Sequence, residues 1–499
     1  MLFGAGRAPG CGDIDQDALA CFLRLGEGFL AEGLGGLGGQ GPGQHGGHDQ
    51  GEQGLHLSFL RSVAGRAGTV AAGLRREFAV RARKVTKERG NFFDRSGNLY
   101  GNRKEKHLMK TASLLFLACL VLSGTSALAQ GPSGQGLPRD YWSLPLSPQG
   151  TPPAPWPEVE AKLDPQSCAT CHQDKFEEWQ TSLHAKAFSP GLIGQLLTYS
   201  KEETQSCLNC HAPLAEQATA FEAARKKGKG HMQEAQGLAA SGHVCAACHV
   251  RGQKRFGPPK RDTGLVGQSD PASPHGGVFR TKDFERSDFC AACHQFSQDQ
   301  AVNGKPLENT VEEWKASPQA KQGQTCQSCH MPDRKHLWRG IHDPGMTASG
   351  LTAKTESLKD KAVFRITNSG VGHAFPTYVT PTVSLHAVLL DGTGQPVPSS
   401  EAVYRINRRV DYDGSDWKEV SDTRLLPGQS AKVEIAWGNA RQARVWLEVR
   451  PDDYYHTDVY AQLQKDLPRN GQPFRQIAKA DEMAKRNVYT LFETVIRRP

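Results

Sequence analysis

Aromatic side chains are scarce, at 8% of 499 residues, and neither sign of charge dominates, with Lys+Arg 60 against Asp+Glu 52 and a formal net charge of +8. That balance excludes a polybasic or polyacidic protein. One nine-residue apolar run stands at Leu114 to Leu122, short of the roughly 20 residues a membrane helix needs, so a polytopic membrane protein is excluded. Collagen and coiled coil are excluded by composition as well. Thirteen cysteines are too dilute for the disulfide framework of a small secreted domain and must be explained by position. At roughly 150 residues per domain the length allows two to four units, ample for a sizeable core.

Residues 1–108 hold 23 of the 53 glycines, with a low-complexity stretch at Gly33 to Gly54 and an Arg-rich run from Arg75 to Arg89. A new N-terminus follows. Met109-Lys110 is a short basic start, Leu114 to Leu122 the apolar run, and Ala127-Leu128-Ala129 before Gln130 a small-x-small cleavage site. Residues 109–129 therefore read as a secretory signal peptide, and 1–108 either precede the true start at Met109 or form a disordered extension. Gly33-x-Gly35-x-x-Gly38 matches a dinucleotide fingerprint in form, but no strand pattern precedes it. Cys119 lies inside the apolar run without a convincing lipobox. The expected product is exported, in the periplasm or at the cell surface or beyond, and carries no transmembrane segment. From Gln130 onward 44 basic residues face 41 acidic ones, and no basic patch interleaved with aromatics argues for nucleic acid.

Residues 130–163 open with eight prolines by Pro157 and read as an extended linker or arm. Residues 164–346 hold ten of the cysteines and lack sustained periodicity. From about 355 to 450 the texture changes to β-branched, partly alternating runs: Ala362 to Thr367, Thr382 to Leu390, Ala431 to Trp437 and Ala443 to Val449. Asp391-Gly392, Pro427-Gly428 and Gly438-Asn439 punctuate them, as in a β-sandwich. Residues 451–499 return to helix as a short tail, with Tyr489 to Val495 able to form a last strand. The fold class is α+β multidomain: a mainly helical and irregular region, a β-sandwich-like domain and a helical C-terminal tail.

Five complete C-x-x-C-H units occupy the middle region: Cys168, Cys171 and His172; Cys207, Cys210 and His211; Cys245, Cys248 and His249; Cys290, Cys293 and His294; Cys326, Cys329 and His330. Chance gives roughly 0.01 such motif in a chain of this composition, so coincidence is excluded. Two thiols three residues apart sit on one helical turn and can form thioethers to the two vinyl groups of a haem. The following imidazole is then carried beneath the ring to bind iron. Zinc ribbons use cysteine pairs without needing a histidine after the second, and disulfides do not predict that fifth residue either. Five covalently attached haem c groups are the expected cofactors.

The region resembles the exported multihaem cytochromes of the cytochrome c554/c-prime family. The likeness includes Phe176-Glu-Glu-Trp179-x-x-Ser182-x-His184, Asn309-Thr-Val-Glu-Glu-Trp314, His330-Met-Pro332 and Gly372-His373-Ala-Phe-Pro-Thr377. It implies electron transfer through closely stacked haems and a relation to multihaem nitrite and hydroxylamine enzymes. Carrier and enzyme differ at the sixth iron position, because a haem with two imidazoles has no place for substrate. Nine further histidines follow the signal region. His184, on a probable helix, and His275, His342 and His373, in turn-rich or glycine-flanked segments, are the favoured distal ligands, together with His336. His231, His243, His386 and His456 read as surface or packing residues. Met331 cannot reach the far face of its own haem, and Met232 and Met346 read as packing residues.

The expected function is single-electron transfer along a chain of haems in anaerobic or respiratory electron transport, with redox proteins as donors and acceptors. The alternative is a nitrite- or hydroxylamine-type oxidoreductase with one open haem, although the C-x-x-C-K motif of pentahaem nitrite reductases is missing. Self-association through a sheet edge or the proline-rich arm is a third class. Pyridine haemochrome analysis of the purified protein should return five c-type haems per chain, and its N-terminal sequence should begin at Gln130. A count of zero or a zinc stoichiometry contradicts this reading.

Overall fold

The computed structural model describes residues 136–226, 237–413 and 416–499. The N-terminal extension, the signal peptide, the start of the proline-rich segment, His231 and Met232 lie outside these residues.

The proline-rich segment is an arm laid on its own chain. Among its prolines it carries Tyr141 and Leu146, both buried. Tyr141 Oη donates to the Cys248 carbonyl at 2.6 Å, and the Arg251 guanidinium lies 4.1 Å over the Tyr141 ring. The Gln149 amide donates to Glu216 and its side-chain oxygen accepts from the Gly252 amide. Proline content predicts an extended backbone, and the interspersed aromatic and apolar side chains make that backbone adhere.

The cysteine-rich region folds into short helices, several of them started by a local cap. Asp164 accepts from the Ser167 amide ahead of Pro165–Ala169, Ser189 from Leu192 ahead of Pro190–Leu196, and Ser200 forms a reciprocal capping box with Glu203 ahead of Lys201–His211. The later motifs are themselves helical turns, at Cys245–His249, Ala291–His294 and Cys326–His330. Between them lie a small sheet of β1 (Val250–Arg251), β2 (Lys254–Gly257), β3 (Gly267–Gln268) and β4 (Val278–Arg280), in the order β1-β2-β4-β3, and a hairpin of β5 (Ala301–Val302) and β6 (Lys305–Pro306).

The β region consists of β7 (Leu351–Ser357), β8 (Lys361–Asn368), β9 (Thr382–Leu390), β10 (Ala402–Ile406), β11 (Arg408–Tyr412), β12 (Trp417–Asp422), β13 (Ser430–Ala436), β14 (Gln442–Arg450) and β15 (Tyr489–Arg497). Antiparallel sheets β10-β9-β14-β15 and β13-β8-β7 enclose one apolar core, and β11-β12 forms a separate hairpin. In β14 every second residue is buried: Ala443, Val445, Leu447 and Val449 are all fully inaccessible. The period-two pattern read from 443–449 thus places its apolar side chains on the inner face. Burying each Val or Leu contributes about 1.5–3 kcal/mol.

The tail combines helix with a last strand. Tyr455–Val459 is a π-helical turn running into Tyr460–Asp466, and Gln472–Arg486 is a longer helix, but the last stretch is β15, paired along β14. The aromatic and β-branched run Tyr489-Thr-Leu-Phe prefers a strand, and the edge of β14 supplies its partner. The tail also reaches back to the motif region, where the helix Gln472–Arg486 packs on Pro190–Leu196. Buried Arg408 adds a second tie, donating to the carbonyls of Val302, Lys305 and Pro306 and to Glu419.

Gly194 faces Ile477 so closely that a methyl group there would lie 2.8 Å from two of its carbons. Helix propensity alone favours alanine by about 1 kcal/mol. Ile477 is fully buried and cannot yield without disturbing its neighbours. Gly194→Ala should therefore destabilise, by about 1–2 kcal/mol net of propensity, in denaturant unfolding. A stabilised variant would show that the two helices do not meet this closely.

Candidate haem centres

Each motif histidine follows its cysteines on one turn, and for four of them the chain then holds the ring through Nδ1. His211 Nδ1 lies 3.0 Å from the Ala187 carbonyl, His249 Nδ1 2.8 Å from that of Phe256, and His330 Nδ1 2.7 Å from that of Arg339. His294 Nδ1 is instead 2.9 Å from the buried carboxylate of Glu308. A carbonyl only accepts, so Nδ1 carries the proton and Nε2 keeps its lone pair, the tautomer a metal ligand requires. His275, His336 and His373 are held the same way by the carbonyls of Gly277 at 3.3 Å, Arg334 at 3.1 Å and Ala374 at 2.9 Å.

These rings come in facing pairs. His330 and His373 have ring centres 6.3 Å apart and planes 13° from parallel; His249 and His336 are separated by 6.2 Å, and His184 and His294 by 6.1 Å. Two imidazoles on opposite sides of one iron, each with a metal–nitrogen bond of about 2 Å, place their ring centres about 6.3 Å apart. The three pairs therefore have the ring separation that an iron held between two imidazoles would need. His172 adds a smaller push to the lowering of His275, behind burial and Arg255. Burial holds His184 well below the usual histidine range and lowers His249, His330 and His275; it takes His336 and His373 down to about 4. Neighbouring imidazoles push in the same direction. All six stay neutral near pH 7, as ligands must.

The cysteines bring motifs together as well. Cys168 and Cys245 are hydrogen-bonded through their side chains, which lowers the first thiol and raises the second. Cys290 and Cys326 form a like pair, which raises Cys290 and takes Cys326 down to about 6. Burial pushes the Cys248 thiol up to about 12. Cys207 is buried against Leu192, Leu196 and Leu208.

Three glutamates hold the distal segments. Glu160 accepts from the His275 amide at 2.5 Å, Glu178 from the His336 amide at 2.9 Å, and Glu313 from the Ala374 amide, next to His373, at 3.0 Å. Glu313 is buried beside Arg424. Trp338 stands edge-on to both His184, at 4.7 Å, and His336, at 5.1 Å, and its amide donates to the His330 carbonyl. Trp338 and His275 both adopt positive φ, at 42° and 48°, a backbone strain that their surroundings must impose. The sequence signals Glu178 and Glu313 inside family-like blocks, but nothing in it marks Glu160 or Trp338.

His342 stands apart from the other four expected distal ligands. Its Nε2 is 3.0 Å from Asp452 Oδ1, both residues are buried, and Asn487 donates to the other carboxylate oxygen. The nitrogen that would face iron is spent on a carboxylate, so His342 fastens the segment after the fifth motif to the tail. His386 stacks on Trp446 and bonds Glu401, while His456 bonds Asp481. His243 is buried 5.2 Å from His184, its ring reaching toward Cys248.

Residues 167–249, which contain the first three motifs, match the family model for cytochrome c554 and c-prime. The resemblance read from the motifs holds over that segment. Among solved structures, the chain is similar to a penta-heme cytochrome c552 from Thermochromatium tepidum, at 20% identity, over 62% of this chain and 96% of that one, with a TM-score of 0.45. No curated protein matches the chain.

His342→Ala strands a buried carboxylate and should cost about 1–3 kcal/mol of stability in denaturant unfolding, with the low-spin haem signals unchanged. Loss of one low-spin signal in this variant would place His342 on iron.

Proposed function

We propose that this chain is an exported five-haem cytochrome that passes single electrons between redox proteins along a fixed row of bis-histidine centres. The observation that carries the reading is the set of three imidazole pairs at 6.1–6.3 Å. Kinship of residues 167–249 with multihaem cytochromes points the same way.

The haems would be held by Cys168 and Cys171, Cys207 and Cys210, Cys245 and Cys248, Cys290 and Cys293, and Cys326 and Cys329. The axial pairs would be His172 with His275, His249 with His336, His294 with His184, and His330 with His373. For the second motif His211 would be the proximal ligand, with Cys207 and Cys210 as the attachment thiols. When bound, each haem supplies one ferric/ferrous couple.

The residues also suggest an order. The Cys168–Cys245 contact joins the first motif to the third, and the Cys290–Cys326 contact joins the fourth to the fifth. Trp338 bridges the distal rings of the third and fourth centres. The helix Lys201–His211 packs on Ala291–His294, which sets the second motif beside the fourth. The fourth centre is thus the junction of a row running first, third, fourth, fifth. If His336, His184 and His373 bind as the second imidazoles, no position would remain for substrate at those haems, which would suit a carrier over a reductase.

Export is supported by the signal-like residues 109–129 and by haem attachment through paired cysteines. Among the described residues no helix is long and apolar enough to cross a membrane. Periplasmic residence follows as the simplest assignment, and self-association is not needed for the row to be complete.

Low-temperature electron paramagnetic resonance on the ferric protein tests the ligand set. His373→Ala should convert one low-spin centre to high spin and leave the haem count at five. An unchanged spectrum rejects the pairing, and a wild-type high-spin signal that shifts with nitrite or hydroxylamine favours the reductase.

A further inference from the structure

The histidines of the centres are not tuned alike. Six of them, His211, His249, His275, His330, His336 and His373, meet a backbone carbonyl at Nδ1. His294 meets a carboxylate. Glu308 Oε1 lies 2.9 Å from its Nδ1, and the glutamate side chain is 4% exposed. Glu178 approaches the His336 ring too, but at 3.8 Å it is outside hydrogen-bonding distance of Nδ1.

We infer that Glu308 is a positioning residue that makes the His294 centre the hardest of the row to reduce. This rests on the five-haem reading above. A hydrogen bond to an ionised acceptor is roughly twice as strong as one to a neutral carbonyl, and it shifts electron density through the imidazole onto the metal. A negative charge in a desolvated site is weakly screened. Both effects stabilise the ferric over the ferrous state, so the potential falls.

The surroundings are built to keep that carboxylate in place. The Phe296 amide, two residues beyond His294, donates to the Glu308 carbonyl at 2.9 Å, closing a loop between ligand and acceptor. Thr310 Oγ1 donates to the same Oε1 at 3.3 Å, and is itself fixed by Thr377 Oγ1 at 2.6 Å. Because the His294 centre is the junction, a low potential there makes it the last iron to hold an electron. Electrons arriving from the first and third centres would pass over it toward the fifth without accumulating.

Spectroelectrochemical titration of the purified holoprotein tests this, with haem count measured on the same samples. In Glu308→Gln the acceptor shape survives and the charge is lost, so one of the five potentials should move upward while the other four stay. Glu308→Asp should return most of that shift. Thr310→Val removes the competing donor and should move the same potential downward. If Glu308→Gln fails to load haem, the Asp and Val variants still decide. Potentials that superimpose on wild type, or that all move together, overturn the assignment of Glu308. A wild-type haem count other than five overturns the reading beneath it instead.

Discussion

The hydrogen bond from imidazole Nδ1 to a fixed oxygen is the constraint on which the rest of this structure depends. A histidine following two cysteines can swing about two side-chain torsions and carry its proton on either nitrogen, and in both respects it is a poor ligand until the fold decides. Here the deciding oxygens lie outside the motifs: Ala187 for His211, Glu308 for His294, Arg339 for His330. Together these bonds commit the rings to one tautomer and one direction.

That requirement explains a fold with little regular core around the motifs. Short helical turns place the cysteine pairs, and loops would bring the second imidazoles across. These loops are irregular, include residues at positive φ, and must be anchored. Glutamates do this by accepting backbone amides beside His275, His336 and His373. The β region serves the same end: His373 sits between β8 and β9, while the tail both completes the sheet with β15 and packs on Pro190–Leu196. Arg408 and the His342–Asp452 pair add polar ties between the two regions. On the proposed reading the β-sandwich would thus be part of the ligand frame.

Much of this was legible in the chain. The C-x-x-C-H repeat fixes cofactor chemistry locally, because both thiols and the imidazole lie within five residues. Alternating runs such as 443–449 carry their own periodicity into β14. Of the five expected distal histidines, His184, His336 and His373 have ring centres 6.1–6.3 Å from motif rings, and glycine-rich context pointed to one of them. His342 shared that context, yet its partner Asp452 lies 110 residues away and no local pattern reveals it. Pairing, Glu308 and Trp338 were illegible for the same reason, since each is defined by contacts between remote segments. The tail's last strand was ambiguous because a strand at an edge depends on a neighbour that sequence does not name.

The most direct test of the account is the position of the irons. Anomalous diffraction at the iron edge from crystals of the haem-loaded protein should place one iron between His330 and His373, one between His249 and His336, and one between His294 and His184. An iron bound by His342, or any of these pairs divided between two irons, would contradict it.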